Sequence, residues 1–310
     1  MTRHIQGLHH VTSLASDAQV NNDFFTKTLG LRRIKKTVNF DAPEVYHLYY
    51  GDKTGTPGSV MTYFPFPGAR RGSAGTGEVS ETAFAVPQGS LDSWHDRLSR
   101  LGVGGLGRAE RFGQQRLTLT GPDGDGFALV ETDDARTPWR HADVPGEHAI
   151  RGFHSVTMRV ADKTATAELL RFMGYEDAGQ DGAISRLAVP GGNGANAIDI
   201  ETAPELPEAQ QGAGSVHHIA FSVEDEEAQT EVRRALLDAG YQVTPMIDRD
   251  YFRAIYFRSP GGVLFEVATT DPGFDRDEDI AHLGEALKLP KQHAHLRERL
   301  EREYLEPIRD

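Results

Sequence analysis

"GLHHVTSL" at residues 7–14 and "SVHHIAFS" at 215–222 each place two adjacent histidines in what reads as a short strand, using four of the chain's 13 histidines. The surroundings recur as well. "RGFHSVT" at 151–157 superimposes on the same frame, and "AFAV" at 83–86 matches "AFSV" at 220–223, which brings in "SETAF" as a fourth copy. An amphipathic stretch follows each opening strand: "DAQVNNDFFTKTLG", "SLDSWHDRLSRLG", "TATAELLRFMG" and "EAQTEVRRALLDAG". These end at Gly30, Gly102, Gly174 and Gly240, at near-equal intervals. Glycine just past a helix supplies the left-handed cap that stops it. Strand-like runs come next, such as "VYHLYY", "QRLTLT", "NAIDIET" and "GVLFEVA".

The repeating unit is therefore β-α-β-β-β, present four times, and the fold class is α+β. A polar, proline-containing stretch at 132–150 divides the four units into two pairs. The expected organisation is an N-terminal domain over 1–135, a C-terminal domain over 150–272 and a charged helical tail over 273–310. In the tail Leu296, Leu300 and Tyr304 fall at helical spacing. The helix faces predict core positions at Val20, Phe24 and Phe25, at Leu91, Trp94, Leu98 and Leu101, and at Val232 and Leu236.

Composition narrows the partners. A formal net charge of −13 argues against a nucleic-acid binder, which needs clustered Lys and Arg. A small molecule is the expected ligand. Cysteine is absent, so a metal must be held by His, Asp or Glu. "MTRHIQGLHH" lacks the apolar segment of a signal peptide, and no apolar run is long enough to span a bilayer. A soluble cytoplasmic protein without membrane partners is expected, and a symmetric homo-oligomer is compatible with this class.

Aligning the opening strands gives two columns. The first reads His9, Ser80, His154, His217 and the second His10, Glu81, Ser155, His218. Neighbouring side chains on a strand point to opposite faces, so only one column can line a common site. Glu266 in "SPGGVLFEVA" lies among apolar residues, where a carboxylate is costly without a cation or hydrogen bonds. Six residues separate it from Pro260, and the same count from Pro57 reaches Tyr63. Glu131 and Glu201, which close the second and third units, read as solvated strand ends. With the second column inward, His10, His218 and Glu266 form a two-histidine, one-carboxylate set. Such a triad is the usual equipment for non-haem Fe(II) with open coordination positions, and the same donors suit Mn(II). The competing choice joins His154 to His217, but it leaves Ser155 where the third unit needs a ligand. A lone strand histidine is more often a structural hydrogen-bonding residue. Two aligned pairs and a carboxylate in an apolar strand favour metal. His47, His95, His141 and His148 have no counterpart in the repeat and read as surface or locally bonded residues; His293 and His295 fall in the tail.

On these motifs the chain resembles the vicinal oxygen chelate superfamily, built from paired βαβββ units, which includes glyoxalases, bleomycin-resistance proteins and extradiol dioxygenases. It is particularly similar to hydroquinone ring-cleaving dioxygenases of the 2,6-dichloro-p-hydroquinone 1,2-dioxygenase type. The likeness runs through "LHHVT", "YHLYYGD", "GTPGSVMTYFPF", "DRDYF", "YFRSPGGVLFEVAT" and "GFDRDEDIAHLG". It implies iron ligands at His10, His218 and Glu266. It also implies pocket residues at His9 and Thr12 beside the first ligand, His217 beside the second, Arg249 in "DRDYF" and Tyr256 in "AIYFRS". His9 or His217 would exchange protons, with Tyr256 a further catalytic group, and Thr12 and Arg249 would meet the substrate. The implied reaction cleaves a para-hydroquinone ring beside a hydroxylated carbon, both atoms of O2 entering the product.

Two other functions of the same superfamily are weighed against it. A glyoxalase-type lyase or isomerase on Zn(II) or Ni(II) typically uses four ligands, and Tyr63 in place of a second carboxylate argues against it. A bleomycin-resistance-type binding module has no use for three convergent ligands. No nucleophile elbow supports a hydrolase.

Overall fold

The computed structural model describes residues 4–309. The first unit comprises β1 (Leu8–Ala15), α1 (Ala18–Asp23), β2 (Arg32–Val38), β3 (Tyr46–Gly51) and β4 (Val60–Pro65). The second comprises β5 (Glu78–Val86), α2 (Leu91–Arg100), β6 (Gly107–Arg111), β7 (Gln114–Thr120) and β8 (Gly126–Glu131). β9 (Gly152–Val160), α3 (Thr164–Phe172), β10 (Glu176–Asp181), β11 (Ile184–Ala188) and β12 (Ala197–Thr202) make the third. The fourth holds β13 (Val216–Val223), α4 (Glu226–Asp238), β14 (Ile247–Asp248), β15 (Phe252–Arg258) and β16 (Leu264–Pro272). The four βαβββ units are those the sequence predicts.

Two eight-stranded sheets result. The first runs β14-β15-β16-β13-β1-β4-β3-β2 and the second β10-β11-β12-β9-β5-β8-β7-β6. Units one and four thus share a sheet, as do units two and three, and each sheet takes one unit from either side of the 132–150 segment. The seam of the first sheet is the antiparallel pair β1 and β13, where Thr12 faces His218 and His10 faces Ala220. The two histidine-bearing strands are therefore direct neighbours.

The main apolar cluster draws on both sheets. Phe25 stacks on Tyr50 at 4.9 Å and meets Phe127 of β8 at 5.9 Å. Side chains alternate along β3, so Tyr49 leaves this cluster for a second one on the other face of the first sheet, with Phe252, Ala254, Tyr251 and Phe274. That second face carries the site.

Two of the expected core positions, Val20 and Leu101, turn to solvent. α1 is six residues long, capped by Asp17 accepting from the Val20 amide, and continues as a wider π-type turn over Phe24–Thr28. The change of pitch drives Phe24 and Phe25 inward and leaves Val20 51% exposed. Leu101 follows the last turn of α2 and is 53% exposed. In the tail, a 3-10 segment (Lys291–Leu296) precedes α5 (Arg297–Glu303); Leu300 and Leu305 are buried, but the helix ends before Tyr304, which turns outward. Glu131 is not a free strand end either, for it accepts from the Leu91 amide at the start of α2.

The tail closes against the site face. Phe274 stacks on Tyr251 at 5.4 Å and meets Tyr49 at 5.2 Å. Lys35, fully buried, donates to Asp277 at 2.7 Å and Glu278 at 2.5 Å and lies 4.7 Å from the Tyr251 ring. A buried ammonium needs such partners, so β2 and the tail are tied together by charge as well as by apolar contact. Among the described residues no helix is long and apolar enough to cross a membrane.

Candidate metal centre

Strand register sets out the site in two rows. His10 on β1 faces Ala220 on β13, which pairs with Glu266 on β16, which pairs with Tyr256 on β15. One step along, His218 on β13 faces Thr12, which pairs with Thr62 on β4, which pairs with Tyr49 on β3. Alternation puts His10 and Thr12 on one face, and His218 joins them from the neighbouring strand.

The second column is the one that converges. His218 Nε2 lies 2.9 Å and His10 Nε2 3.4 Å from Glu266 Oε2, and the two nitrogens are 3.3 Å apart. All three residues are buried, and one donor atom from each lies within 4.8 Å of the others. Burial by itself would push the Glu266 carboxyl up, but the adjacent His10 and His218 outweigh it and hold the group well below the usual carboxylate range. His218 is itself pushed down by burial, against the pull of Glu266.

The flanking histidines orient these ligands. His9 Nε2 lies 3.1 Å from the Thr269 carbonyl oxygen and His9 Nδ1 is 2.9 Å from His10 Nδ1. Burial, aided by the neighbouring His10, pushes His9 down to about 3, so the ring is neutral. A carbonyl only accepts, so His9 carries its proton on Nε2 and offers a bare Nδ1. His10 must then hold a proton on Nδ1, so Nε2 is the nitrogen turned to the carboxylate and His218. His217 Nδ1 stands 2.7 Å from His218 Nδ1 in the same way. The two outer histidines differ in where they lead: His9 ends on a backbone carbonyl, whereas His217 lines the site cavity, with burial and then His218 lowering it to about 4.

That cavity is about 460 Å³ and reaches His10, His218 and Glu266. Its wall is largely apolar, with Leu14, Phe40, Phe64, Phe66, Phe252 and Leu264. Arg249 and Tyr256 stand on it together, Arg249 Nε donating to the phenol oxygen at 3.2 Å. Burial alone would lower Arg249, but Tyr256 and Asp41 raise it; burial and Glu266 push the Tyr256 phenol well above its ordinary range. Thr12 is wholly buried and bonds to Thr62 through their hydroxyls at 2.8 Å.

Two sequence expectations change here. Tyr63 does not face the site: it lies in the main core and donates to Asp125 Oδ1 at 2.7 Å, and register puts Thr62 opposite Thr12 instead. Counting from a proline fails because the loop before β4 differs by one residue from that before β16. The inference of a missing fourth carboxylate survives, since threonine supplies none. His47, read as a surface or locally bonded residue, is buried and lines the cavity, with Nε2 2.9 Å from Thr62 Oγ1 and Nδ1 2.8 Å from the Tyr49 hydroxyl. Its signal was available: in "VYHLYY" alternation puts His47 and Tyr49 on one face.

The second sheet holds the equivalent positions. Glu81 faces Thr157 and Thr157 pairs with Asp199, as His10 faces Ala220 and Ala220 pairs with Glu266. The group formed by Glu81, Ser155 and Asp199 is filled by guanidinium. Arg186 binds the fully buried Asp199 through 2.7 and 2.9 Å bonds, Arg111 reaches Glu81 and Asp199 at 3.3 and 3.5 Å, and Arg116 pairs with Glu81. His154 sits in this sheet, bonded to Gln114 at 3.1 Å, so the alternative pairing of His154 with His217 is not formed.

The first-sheet group fits a metal ion. Although His218 Nε2 is within 2.9 Å, neither oxygen of Glu266 has a properly aligned hydrogen-bond donor among the described residues. A fully buried carboxylate with two imidazole nitrogens converging on it and no aligned hydrogen bond is what a cation relieves. Two imidazoles and one carboxylate are a borderline donor set suited to first-row divalent metals.

Comparison with known proteins agrees with this architecture. Residues 125–267 match the model of the Glyoxalase/Bleomycin resistance protein/Dioxygenase superfamily. The chain is 41% identical over 303 residues to "Putative ring-cleaving dioxygenase MhqO" of Bacillus subtilis (strain 168), covering 97% of this chain and 96% of that protein. It is 38% identical over 316 residues to "Chlorohydroquinone/hydroquinone 1,2-dioxygenase" of Sphingobium indicum, covering 98% and 97%. A crystal structure of a "putative dioxygenase" from Bacillus subtilis subsp. subtilis str. 168 superimposes with a TM-score of 0.95 at 40% identity, covering 99% of this chain and 98% of that one. With likeness of this degree along its whole length, the chain belongs to the glyoxalase, bleomycin resistance and dioxygenase superfamily.

Proposed function

We propose that the protein is a ring-cleaving dioxygenase for a para-hydroquinone, inserting both atoms of O2. The observation that carries this reading is the convergence of His10, His218 and Glu266 on a largely apolar cavity sized for a substituted aromatic ring. The names borne by full-length relatives support it. On this reading residues 1–135 and 150–272 are the two glyoxalase-like domains and 273–310 a tail.

His10, His218 and Glu266 would hold Fe(II), with Mn(II) the alternative that the same donors accept. Bound there, the metal supplies the one-electron chemistry that the spin-forbidden reaction of O2 with an aromatic ring requires. The chain's own residues do the rest. Leu14, Phe64 and Leu264 exclude water and hold a ring by apolar contact. Arg249 donates to the Tyr256 oxygen, so the phenol O–H points away from the guanidinium, toward Glu266 or, with substrate bound, a substrate oxygen. His217 is neutral and on the cavity wall; with its Nδ1 accepting from His218, it presents Nε2–H to the cavity, so it is the one of the two outer histidines placed to donate a hydrogen bond or a proton to a substrate oxygen. His9 holds the tautomer of His10, and Thr12, which does not line the cavity, ties β1 to β4 through Thr62 beside it.

The test is anaerobic loading with Fe(II), followed by oxygen uptake with hydroquinone and with methyl- or chloro-substituted hydroquinone. Catechol and a methylglyoxal–thiol adduct serve as comparators. One O2 consumed per hydroquinone supports the reading. Turnover of the adduct under Zn(II) or Ni(II), with no uptake on any hydroquinone, overturns it in favour of a glyoxalase-type lyase.

A further inference from the structure

The site has an internal two-fold relationship that extends beyond the metal ligands. In unit four, Tyr256 on β15 pairs with Glu266 on β16, which pairs with Ala220, two residues past His218. In unit one, Tyr49 on β3 pairs with Thr62 on β4, which pairs with Thr12, two residues past His10. Tyr49 is thus the counterpart of Tyr256 across the β1–β13 seam. Both phenols line the same cavity, on opposite flanks of the His–His–Glu group.

Their partners are chemically different. Tyr256 accepts from Arg249 Nε, and a guanidinium can only donate. The sense of that bond is fixed. Tyr49 bonds instead to Nδ1 of His47, whose Nε2 meets Thr62 Oγ1, which in turn meets Thr12 Oγ1, at 2.8, 2.9 and 2.8 Å. Burial, with His10 and His218 adding to it, keeps the His47 ring neutral. A neutral imidazole has one donor and one acceptor nitrogen, so this chain of bonds has two senses. With the proton on Nε2, the Tyr49 hydroxyl donates to Nδ1 and its oxygen is left to accept from a ligand. With the proton on Nδ1, His47 donates to the phenol oxygen, and the Tyr49 O–H turns to the cavity. The threonine hydroxyls rotate to follow either arrangement.

We infer that Tyr49 is a second substrate-contacting phenol, bonded to a ring hydroxyl of the substrate, and that His47 is the positioning residue that sets whether it accepts or donates. This rests on the hydroquinone reading above. A hydroquinone hydroxyl is both donor and acceptor, and a wall group that can take either sense serves it where a fixed donor serves only one. The Tyr49 ring is held independently by Phe274 and Tyr251 at 5.2 and 6.4 Å, so removing the hydroxyl need not move it.

The experiment is anaerobic calorimetric binding of hydroquinone and of 4-methoxyphenol, which lacks the second O–H, to the Fe(II)-loaded chain and its variants, with the melting temperature of each recorded. Tyr49→Phe is expected to weaken hydroquinone binding by about five- to ten-fold, the range for one lost hydrogen bond, and to shrink the preference for hydroquinone over 4-methoxyphenol to about two-fold or less. His47→Asn retains a polar group near the Nδ1 position and is expected to preserve that preference, whereas His47→Leu loses it. A merely structural role would move the melting temperature and leave the preference intact. Hydroquinone binding and turnover by the wild-type chain, with Tyr49→Phe binding as tightly as wild type, overturns the Tyr49 contact alone. Absence of hydroquinone binding by the wild-type chain overturns the ring-cleavage reading, and the contact falls with it.

Discussion

Thr62 occupies in unit one the place that Glu266 occupies in unit four: Thr62 pairs with Thr12 as Glu266 pairs with Ala220. A single side chain therefore separates a three-ligand group from the four-ligand group that glyoxalase-type sites in this superfamily use. Thr62→Glu is expected to complete the fourth position. Chelator competition should show tighter Zn(II) or Ni(II) binding, and oxygen uptake on hydroquinone should fall at least 100-fold, about 2.7 kcal/mol in barrier. Unchanged metal affinity would show that the Thr62 position does not reach the group.

Glu266 presents the opposite case, a carboxylate whose removal should abolish the site. Its oxygens have no aligned donor among the described residues, so a metal ion is its natural partner. A ligand at a hundred times its dissociation constant stabilises the folded state by about 2.7 kcal/mol. Anaerobic Fe(II) or Mn(II) should raise the melting temperature of the wild-type chain by about 5 °C, scaling that energy by the value for large domains. Glu266→Gln and His10→Ala should show no such rise, and chelator should reverse it in the wild type. Equal metal-induced shifts in wild type and Glu266→Gln would place the metal elsewhere.

The second sheet makes a sharper claim about stoichiometry. Asp199 stands where Glu266 stands in the first sheet, but Arg186 and Arg111 occupy its oxygens. The chain should bind one metal ion, not two. Breaking a buried ion pair on one side costs about 3–5 kcal/mol, because the surviving charge has no partner. Asp199→Ala should therefore lower denaturant stability by roughly that amount, while metal content by elemental analysis stays at one per chain. Two ions per wild-type chain would overturn the equivalence drawn here.

Repetition made the metal group legible: His10, His218 and Glu266 emerge from aligning the units with one another, since equivalent strands put equivalent positions on one face. Counting along a loop did not work. Tyr63 was one residue off because loop length is free to vary while register is not, and a one-residue slip reverses every side chain. Val20 was misplaced by a π-type turn, which changes pitch without a sequence signal in the apolar pattern. His47 reads as a surface or locally bonded residue because it has no histidine counterpart in the other units. Its partners Tyr49 and Thr62 lie on two neighbouring strands, and the bonds among them are set by tertiary register.

Asp125 gives a test remote from the site. It is nearly fully buried and accepts from Tyr63 at 2.7 Å; burial outweighs that bond and raises its carboxyl from 3.8 to about 6. The folded state then holds the proton more tightly than the unfolded chain does. Between pH 4 and 6 the folded form is favoured as pH falls, and above about 6 the ionised group costs the fold on the order of 3 kcal/mol, from a two-unit shift. Asp125→Asn keeps the acceptor for Tyr63 and removes the charge. Its melting temperature should exceed that of wild type by about 5 °C at pH 8 and match it near pH 4, where Asp125 is protonated in the native state. A difference independent of pH would mean that packing, and not the ionised carboxyl, governs this position.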